Sequence, residues 1–359
     1  MSKIISIIIP TYNERDNIIP LVKQIDHALS NYNYEIVFVD DNSGDGTAEL
    51  IVTLLPEYPV RVIVRQGKSG LASAVVDGFG QVSGQIVGVM DTDLQHPPEV
   101  IPDLVREIEN KADIAIASRY IEGGGCQDWE LTRRIISKGA IFIAHLLLPF
   151  TRNIKDPISG FFMFRKEGIA MANLRPTGYK ILLEILMEGR FRNIAEVAYV
   201  FRTRSSGKSK LNVRQQLDYL KHIYSLIRRK GELLRFTRFC LVGLSGVLVN
   251  IGLLWLLTDI IGLFYLVSAA ISIESSIISN FFLNNLFTFH DRNSPAVRSS
   301  LSRLLKYNLV TMAGLGVNIS ILWLFTEVFG IYYLISELVG IVIATLWNYL
   351  FSSWWVWKK

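Results

Sequence analysis

The pattern of hydrophobic and polar positions changes in character near residue 230. Before that point, short β-branched runs alternate with stretches in which apolar residues recur at helical spacing. The strand-like runs are residues 4–9, 35–39, 60–64 and 86–90, and the helical stretches between them are residues 16–29, 46–55 and 70–82. The alternation predicts an α/β fold with a doubly wound, mostly parallel sheet.

Four apolar stretches follow, at residues 239–258, 263–289, 307–326 and 338–357. About 20 apolar residues match a hydrocarbon core of ~30 Å, so the pattern predicts an all-α membrane domain of four transmembrane helices. Glu274 is the one charged residue inside these stretches. We interpret its carboxyl as hydrogen-bonded to a neighbouring helix or placed near the interface. Trp354, Trp355 and Trp357 are expected to anchor the end of the chain at the interface.

An internal repeat supports the four spans. A shift of 68 residues aligns identical residues in constant register, which is the signature of a duplicated structural unit. The aligned pairs are Gly246 and Gly314, Asn250 and Asn318, Trp255 and Trp323, Thr258 and Thr326, Gly262 and Gly330, Tyr265 and Tyr333, Ser268 and Ser336, and Asn280 and Asn348. Each repeat is predicted to be a helical hairpin, and the two hairpins have the same orientation.

Lysine and arginine residues flank the apolar stretches on one side only. They lie before the first stretch, between the second and third, and at the C-terminus, whereas the predicted hairpin turns have none. The positive-inside rule therefore places both termini in the cytoplasm. No signal-peptide pattern follows Met1, so the first half is also expected there. We predict a multi-pass protein of the cell membrane, with a cytosolic domain at residues 1–230 and a membrane domain at residues 231–359.

Composition adds limits on the partners. The net charge of +5 is modest, and the basic residues cluster beside the apolar stretches, which favours an anionic membrane surface over nucleic acid. Residues 133–148 and 213–229 are amphipathic, as in helices that lie in a membrane interface. Cys126 and Cys240 lack a CxxC or Cys/His pattern, so we expect reduced thiols and no zinc site.

Acidic residues follow three of the predicted strands, where ligands bind to parallel sheets. The first strand leads into Glu14, the second into Asp40 and Asp41, and the fourth into Asp91 and Asp93. Two carboxylates at positions i and i+2 after a buried strand can hold Mg²⁺ or Mn²⁺ against a diphosphate. The pattern therefore predicts a divalent cation that neutralises charge on a departing nucleoside diphosphate.

Other nucleotide-binding and hydrolytic patterns are absent from the sequence. A GxGxxG fingerprint does not follow the first strand, which disfavours a dehydrogenase of the dinucleotide-binding type. A GxxxxGK[ST] loop and a GxSxG elbow are also missing, which disfavours a P-loop ATPase and an α/β-hydrolase.

Several ordered motifs resemble the inverting family 2 glycosyltransferases, and within them the dolichyl-phosphate mannose synthases. The motifs are Ile8-Ile-Pro-Thr-Tyr-Asn-Glu14, Val39-Asp-Asp-Asn-Ser43, Gly70-Leu71, Asp91-Thr-Asp-Leu-Gln-His-Pro-Pro-Glu99, Ser118-Arg-Tyr120, Arg133, Ser137-Lys-Gly139, Asp156-Pro-Ile-Ser-Gly-Phe161 and Arg204-Ser-Ser-Gly-Lys-Ser-Lys210. The apolar repeat is similar to the GtrA-like four-helix domain fused to some members. The resemblance covers nearly the whole chain and implies a GT-A catalytic domain, which is Rossmann-like.

The resemblance implies a role for each matching position. The donor nucleotide-sugar would be bound by Pro10, Tyr12, Glu14, Val39, Asp41, Asp91, Thr92, Asp93, Gln95, Lys180, Arg204 and Lys210. Within that set, Asp91, Asp93 and Gln95 would hold the metal. Arg119, Arg133 and Ser137 would bind the phosphate of the acceptor lipid. The catalytic groups would be Asp91, Asp93, Arg119 and Arg204.

The implied reaction transfers one mannose from GDP-mannose to dolichyl or another polyprenyl phosphate, with inversion. A lipid monophosphate is largely dianionic at neutral pH because its second pKa is about 6, so we assign no general base. Two alternatives stay open at this point. One is a sister enzyme with a UDP-sugar such as UDP-glucose as donor. The other is a lipid-linked-sugar translocase or a membrane scaffold whose soluble domain only binds a ligand.

Overall fold

The computed structural model describes residues 4–67, 70–175, 178–203, 213–292 and 297–358. The chain divides into two compact units, Met1–Leu226 and Ile227–Lys359. The first unit is α/β and the second is helical, as the change in sequence pattern near residue 230 indicates.

Strands of the first unit form a twisted central sheet and a small two-stranded sheet. Their bounds are β1 Ile5–Thr11, β2 Tyr34–Asp40, β3 Val60–Val64, β4 Ile86–Val89, β5 Ile114–Ser118, β6 Gly125–Cys126, β7 Phe162–Arg165, β8 Ile194–Ala198 and β9 Val200–Phe201. Among the described residues, the large sheet has the order β3-β2-β1-β4-β7-β5-β8, and β6 pairs with β9. All neighbours in the large sheet are parallel except those of β7, which runs antiparallel to both β4 and β5.

Helices of the first unit cover both faces of the sheet. Their bounds are α1 Arg15–Ala28, α2 Thr47–Thr53, α3 Leu71–Phe79, α4 Ile101–Glu109, α5 Leu131–Leu147, α6 Ile181–Glu188 and α7 Val213–Arg229. Every residue of β1 is buried, as expected for a parallel strand with helices on both sides. Two apolar clusters result, one on each face of the sheet. The predicted mostly parallel α/β fold is confirmed, and the antiparallel β7 is an addition that the periodicity did not predict.

Two helices of the first unit expose apolar side chains. Leu131, Ile135 and Phe142 of α5 are exposed, as are Leu217 and Leu220 of α7. These are the segments that the sequence marks as amphipathic. Their location at a membrane interface stays a prediction.

Helices of the second unit reproduce the sequence repeat residue for residue. Their bounds are α8 Glu232–Trp255, α9 Tyr265–Leu283, α10 Val297–Trp323 and α11 Tyr333–Phe351, and each continues into a π-helical turn. Together with these turns they give four candidate membrane spans by length and composition, at Glu232–Ile260, Tyr265–Thr288, Ser300–Val328 and Tyr333–Val356. Gly262 and Gly330 have positive φ at the two hairpin turns, where a residue without Cβ is unstrained.

Each hairpin is closed by an asparagine packed onto a glycine. A Cβ on Gly246 would collide with the side-chain amide of Asn280, and a Cβ on Gly314 would collide with that of Asn348. Small residues at a crossing allow transmembrane helices to approach closely. The repeated glycines and asparagines therefore record one helix contact used twice.

Glu274 and Trp357 test two interpretations of the membrane sequence. The Asn308 amide of α10 donates a hydrogen bond of 2.7 Å to the Glu274 carboxyl of α9, so the interpretation as a carboxyl bonded to a neighbouring helix is confirmed. The expectation that Trp357 is an interfacial anchor is wrong. Its side chain is 1% exposed, its ring stacks on Phe289 with centroids 4.5 Å apart, and its N–H donates to Asn285.

Candidate active site

The candidate site lies at one edge of the large sheet. The carboxyl ends of β1, β2, β4 and β5 meet at this edge, because these strands point in the same direction. Since β7 runs the opposite way, the residues that precede it reach the same edge. This topology brings the segment 156–161 beside Asp91 and Arg119.

The loop after β4 holds its carboxylates by short-range hydrogen bonds. The main-chain N–H of Gln95 donates to the Asp93 carboxylate at 3.2 Å, and Leu94 adopts a left-handed conformation with φ of 59°. The Thr92 hydroxyl donates to the main-chain oxygen of Pro10 at 2.8 Å, which ties the loop to β1. Asp93 is buried, whereas the side chain of Asp91 is 35% exposed.

His96 fixes the orientation of the Asp91 main chain. The N–H of Asp91 donates to His96 Nδ1 at 3.0 Å, so the neutral ring carries its proton on Nε2. Burial lowers the pKa of His96 to about 4, which keeps the ring neutral at physiological pH. The ring stacks on Phe161 with centroids 5.3 Å apart. A Cβ on Gly160 would lie 3.1 Å from this ring and 3.4 Å from the Asp91 carboxylate, so a side chain there would intrude on the loop.

The residues assigned to the nucleotide occupy the ends of β1 and β2. Both carboxylate oxygens of Asp41 are bonded, one to the Arg65 guanidinium at 2.5 Å and the other to the N–H of Gly70 at 3.0 Å. Glu14 accepts a bond from Asn17 at 2.7 Å at the start of α1. Tyr12 is half-buried on the same loop. The side chain of Val39 is fully buried in the core, so it contributes no side-chain surface to the site.

Arg119 lies in a buried ion pair. Its Nε and Nη2 donate to the two oxygens of Asp156, each at 2.7 Å, and its main-chain N–H donates to the same carboxylate at 3.1 Å. Asp156 is fully buried. Burial alone would lower the pKa of Arg119, but the hydrogen bonds and the charge of Asp156 outweigh it and raise the pKa above its ordinary value. The pair places a permanent guanidinium at the edge beside Asp91.

Arg133 and Ser137 lie on the first turns of α5, close to Arg119. The Arg133 guanidinium is 4.3 Å from the centroid of the Trp129 ring, and that of Arg119 is 5.5 Å from the same ring. The Tyr120 hydroxyl donates to Ser137 Oγ at 2.8 Å. The three positions assigned to the acceptor phosphate therefore share one neighbourhood.

Lys180 lies between the two groups at the start of α6. Its ammonium donates to the main-chain oxygen of Ile158 at 3.0 Å. Burial lowers the pKa of Lys180 to about 8, the charges of Arg119 and Arg133 lower it as well, and those of Asp156 and Asp91 oppose them. Arg204 and Lys210, the other two cations assigned to the donor, lie outside the described residues.

The donor set at the β4 loop suits a hard divalent cation. Asp91, Asp93 and Gln95 bring two carboxylates and one amide, and the Gln95 amide nitrogen donates to the main-chain oxygen of Arg202 at 2.9 Å. This leaves the amide oxygen as the atom of Gln95 that could bind a cation. No group of three or more acidic, histidine or cysteine side chains surrounds a metal position within the described parts of the chain. A cation here would therefore complete its shell with phosphate and water oxygens.

Comparison with known proteins decides the family. The glycosyl transferase family 2 model matches residues 6–170, and the GtrA/DPMS transmembrane-domain model matches residues 238–357. A dolichol-phosphate mannosyltransferase of Pyrococcus furiosus is 47% identical over 340 residues, which are 95% of this chain and 95% of that protein. The chain belongs to the dolichol-phosphate mannosyltransferase family. It is a glycosyltransferase and a multi-pass membrane protein.

Two further comparisons extend this family assignment. A dolichol-phosphate mannosyltransferase of Saccharomyces cerevisiae is 38% identical over 250 residues, covering 65% of this chain and 92% of that protein. The solved structure of glucosyl-3-phosphoglycerate synthase from Mycobacterium tuberculosis, in complex with Mn²⁺, UDP and phosphoglyceric acid, has 19% identity and a TM-score of 0.50. It covers 64% of this chain and 79% of that chain. The structural likeness shows the fold.

Three residues of the edge had no role in the sequence interpretation. Asp156 and His96 stand inside motifs that were noticed, and their partners 37 and 5 residues away became visible only in the fold. Trp129 stands in no motif. Its position before an amphipathic stretch that begins with Arg133 is the only signal in the sequence.

Proposed function

We propose that this member of the family transfers mannose from GDP-mannose to dolichyl or another polyprenyl phosphate, with inversion, at the cytoplasmic face of the membrane. The observation that carries the proposal is the meeting of opposite charges at one sheet edge. Asp91 and Asp93 suit the diphosphate of a donor through a divalent cation, and Arg119 and Arg133 suit the phosphate of an acceptor. The names of the relatives support mannose and dolichol phosphate as the transferred sugar and the acceptor.

The side chains divide into a donor side and an acceptor side. The donor side comprises Asp41, Asp91, Asp93 and Gln95, with Pro10, Tyr12 and Glu14 lining the nucleotide pocket, and it would hold Mg²⁺ or Mn²⁺ at Asp91, Asp93 and Gln95. Such a cation, when bound, supplies charge neutralisation for the departing diphosphate. The donor complex of the solved mycobacterial synthase, which contains Mn²⁺ and UDP, agrees with this chemistry.

The acceptor side comprises Arg119, Arg133 and Ser137. Its two guanidiniums would orient the lipid phosphate so that one oxygen attacks the anomeric carbon opposite the leaving diphosphate. Because the phosphate is largely dianionic at neutral pH, this attack requires no proton-abstracting residue. The protein then contributes position and electrostatic stabilisation.

Membrane orientation completes the proposal. Basic residues before α8, between α9 and α10, and at the C-terminus support a cytoplasmic location for both termini and for the catalytic unit. A membrane-impermeant thiol reagent applied to intact cells would check it on a cysteine-free variant with one cysteine introduced at Ile261, in a hairpin turn. We expect labelling at Ile261→Cys from outside and none at Asp103→Cys in the catalytic unit, and the reverse pattern would contradict the orientation.

A donor panel tests the reaction. The purified full chain, supplied with Mn²⁺ and dolichyl or undecaprenyl phosphate, would be offered labelled GDP-mannose, UDP-glucose and related donors. We expect label in the lipid from GDP-mannose alone. Label from a UDP-sugar alone would reassign the donor and keep the acceptor chemistry. No transfer from any donor would contradict the proposal and favour a binding or translocating protein.

A further inference from the structure

Trp129 joins the two arginines of the acceptor side. Its ring lies 4.3 Å from the Arg133 guanidinium and 5.5 Å from that of Arg119, measured from guanidinium carbon to ring centroid. Phe201 packs edge-on against the same ring, with centroids 5.4 Å apart. Cation–π contacts of this length favour a cation over the ring face, so Trp129 holds the position of Arg133 in particular.

The indole N–H of Trp129 is buried and has no hydrogen-bond partner among the described residues. Buried indole N–H groups usually find an acceptor, because an unpaired buried donor loses its hydration without compensation. The acidic group next to this ring is Asp156, and both of its oxygens already accept bonds from Arg119. The missing acceptor is therefore one that a ligand could bring.

Charge around the ring selects an anion. Arg119 and Arg133 both contact Trp129, and Lys180 is close enough for its pKa to be lowered by both guanidiniums. Asp156 neutralises one of these three cations. A ligand oxygen that accepts from the indole N–H would therefore enter a site with excess positive charge, which suits a phosphate.

The surroundings of Trp129 hold it in place. The N–H of Gln127 donates to the main-chain oxygen of Phe201 at 2.8 Å, which extends the contact between β6 and β9 toward the tryptophan. Trp129 itself packs on the edge of the apolar cluster on one face of the sheet. A donor on a rigid aromatic ring loses little conformational entropy when it binds a ligand.

We propose that Trp129 is a specificity-determining residue of the acceptor site: its ring positions Arg133, and its indole N–H donates to a phosphate oxygen of the polyprenyl phosphate. This inference rests on the proposed function, since it takes the phosphate to be that of the acceptor lipid. The nucleotide-sugar would make no contact with Trp129.

The two parts of this role are separated by Trp129→Phe and Trp129→Leu. The phenylalanine variant keeps an aromatic face for Arg133 and removes the N–H, whereas the leucine variant removes both. A hydrogen bond to a charged group contributes about 1.5–3 kcal/mol, so we expect W129F to raise the KM for citronellyl phosphate, a water-soluble prenyl phosphate, by about tenfold or more. W129L should raise it further, and in both variants the KM for the sugar donor should stay at the wild-type value.

Binding measured without catalysis gives a second readout. Calorimetric titration of the full chain in detergent with citronellyl phosphate should show a weaker Kd for W129F, and titration with GDP should show no change. Trp323→Phe, at an exposed tryptophan of the membrane unit, is the matched control and should leave both affinities unchanged. If W129F does not fold, W129Y keeps a ring with a polar hydrogen and should retain more acceptor affinity than W129L.

Each outcome points to a different failure. If the wild type transfers sugar to prenyl phosphates and W129F has wild-type acceptor KM and Kd, the role of Trp129 is overturned and the proposed function stands. An equal loss of donor and acceptor affinity in W129F would also overturn it, because that result indicates a general distortion of the edge. If the wild type transfers no sugar to any prenyl phosphate, the proposed function itself fails and this inference fails with it.

Discussion

The donor side and the acceptor side of the sheet edge hold their charges by different means. On the donor side, Asp93 accepts from the N–H of Gln95, two residues away, and the Asp91 N–H donates to His96, five residues away. On the acceptor side, Arg119 is held by Asp156, 37 residues away, and Tyr120 reaches Ser137, 17 residues away. The donor side is thus a local loop structure, and the acceptor side depends on the assembly of distant segments.

This difference teaches where each side is vulnerable. A loop that fixes its own carboxylates can lose one of them and still fold, so its variants should fail in chemistry. A buried ion pair that joins distant segments supports the fold as well as the site, so its variants should fail in stability too. The predictions below probe that contrast in order of decreasing expected effect.

Asp91→Ala and Asp93→Ala should each reduce transfer by about a thousandfold while the protein stays folded, because each removes a charged oxygen ligand from the proposed metal and diphosphate site. The measurement is lipid-linked label from labelled donor, with thermal denaturation of the same samples. Asp103→Ala, at an exposed aspartate of α4, is the control. Wild-type turnover in either site variant would contradict the metal assignment.

Asp156→Asn should destabilise the catalytic unit by about 3–5 kcal/mol, because it leaves the buried Arg119 guanidinium without its counter-charge. The melting temperature of the full chain in detergent would report this loss, and Asp103→Asn provides the exposed comparison. An unchanged melting temperature with lost acceptor affinity would mean that Asp156 serves the site alone, which would remove the contrast between the two sides.

Arg133→Ala should raise the KM for the acceptor by about tenfold to a hundredfold and leave that for the donor unchanged, since a charged hydrogen bond to phosphate contributes about 1.5–3 kcal/mol. Arg134 is a close control, because it is the next residue on α5 and is exposed. Arg134→Ala should keep wild-type values of both constants. An effect of Arg133→Ala confined to the donor would place this arginine on the other side.

Lys180 should make donor binding depend on pH. Its pKa of about 8 means that the ammonium is charged at pH 7 and loses its proton as the pH rises through 8. If that charge binds the anionic donor, the donor KM should rise severalfold between pH 7 and pH 9, in the direction of lost positive charge. Lys180→Met should raise the KM at pH 7 and flatten the profile. A profile that is equally steep in the variant would assign the titration to another group.

Local patterns predicted the donor side well because its contacts are local. The β-branched runs specified β1 to β4, and a carboxylate pair directly after a buried strand must appear at the sheet edge, whatever the rest of the fold does. The same reasoning applies to the membrane unit, where a hydrophobic stretch of sufficient length is by itself the structural signal. The alignment of Gly246 with Gly314 and of Asn280 with Asn348 even predicted that a helix contact would recur.

Long-range placement was beyond the local pattern. The direction of β7 brings Asp156 under Arg119, and a strand's periodicity does not say whether it runs parallel or antiparallel. Trp357 was expected at the interface because aromatic residues at the end of a span are often found there, but stacking on Phe289 and the bond to Asn285 bury it instead. Burial of an aromatic ring depends on which neighbours the helices bring to it.

The amino-acid sequence by itself determined the α/β and membrane halves, the repeated hairpins and the acidic loops at the strand ends, because each is set by periodicity or by contacts over a few residues. Only the tertiary structure decided that Asp156 neutralises Arg119, that Trp129 lies between two arginines with a buried N–H, and that Trp357 belongs to a core. Those features depend on side chains from segments far apart in the chain, and their energies arise only when folding removes water from around them.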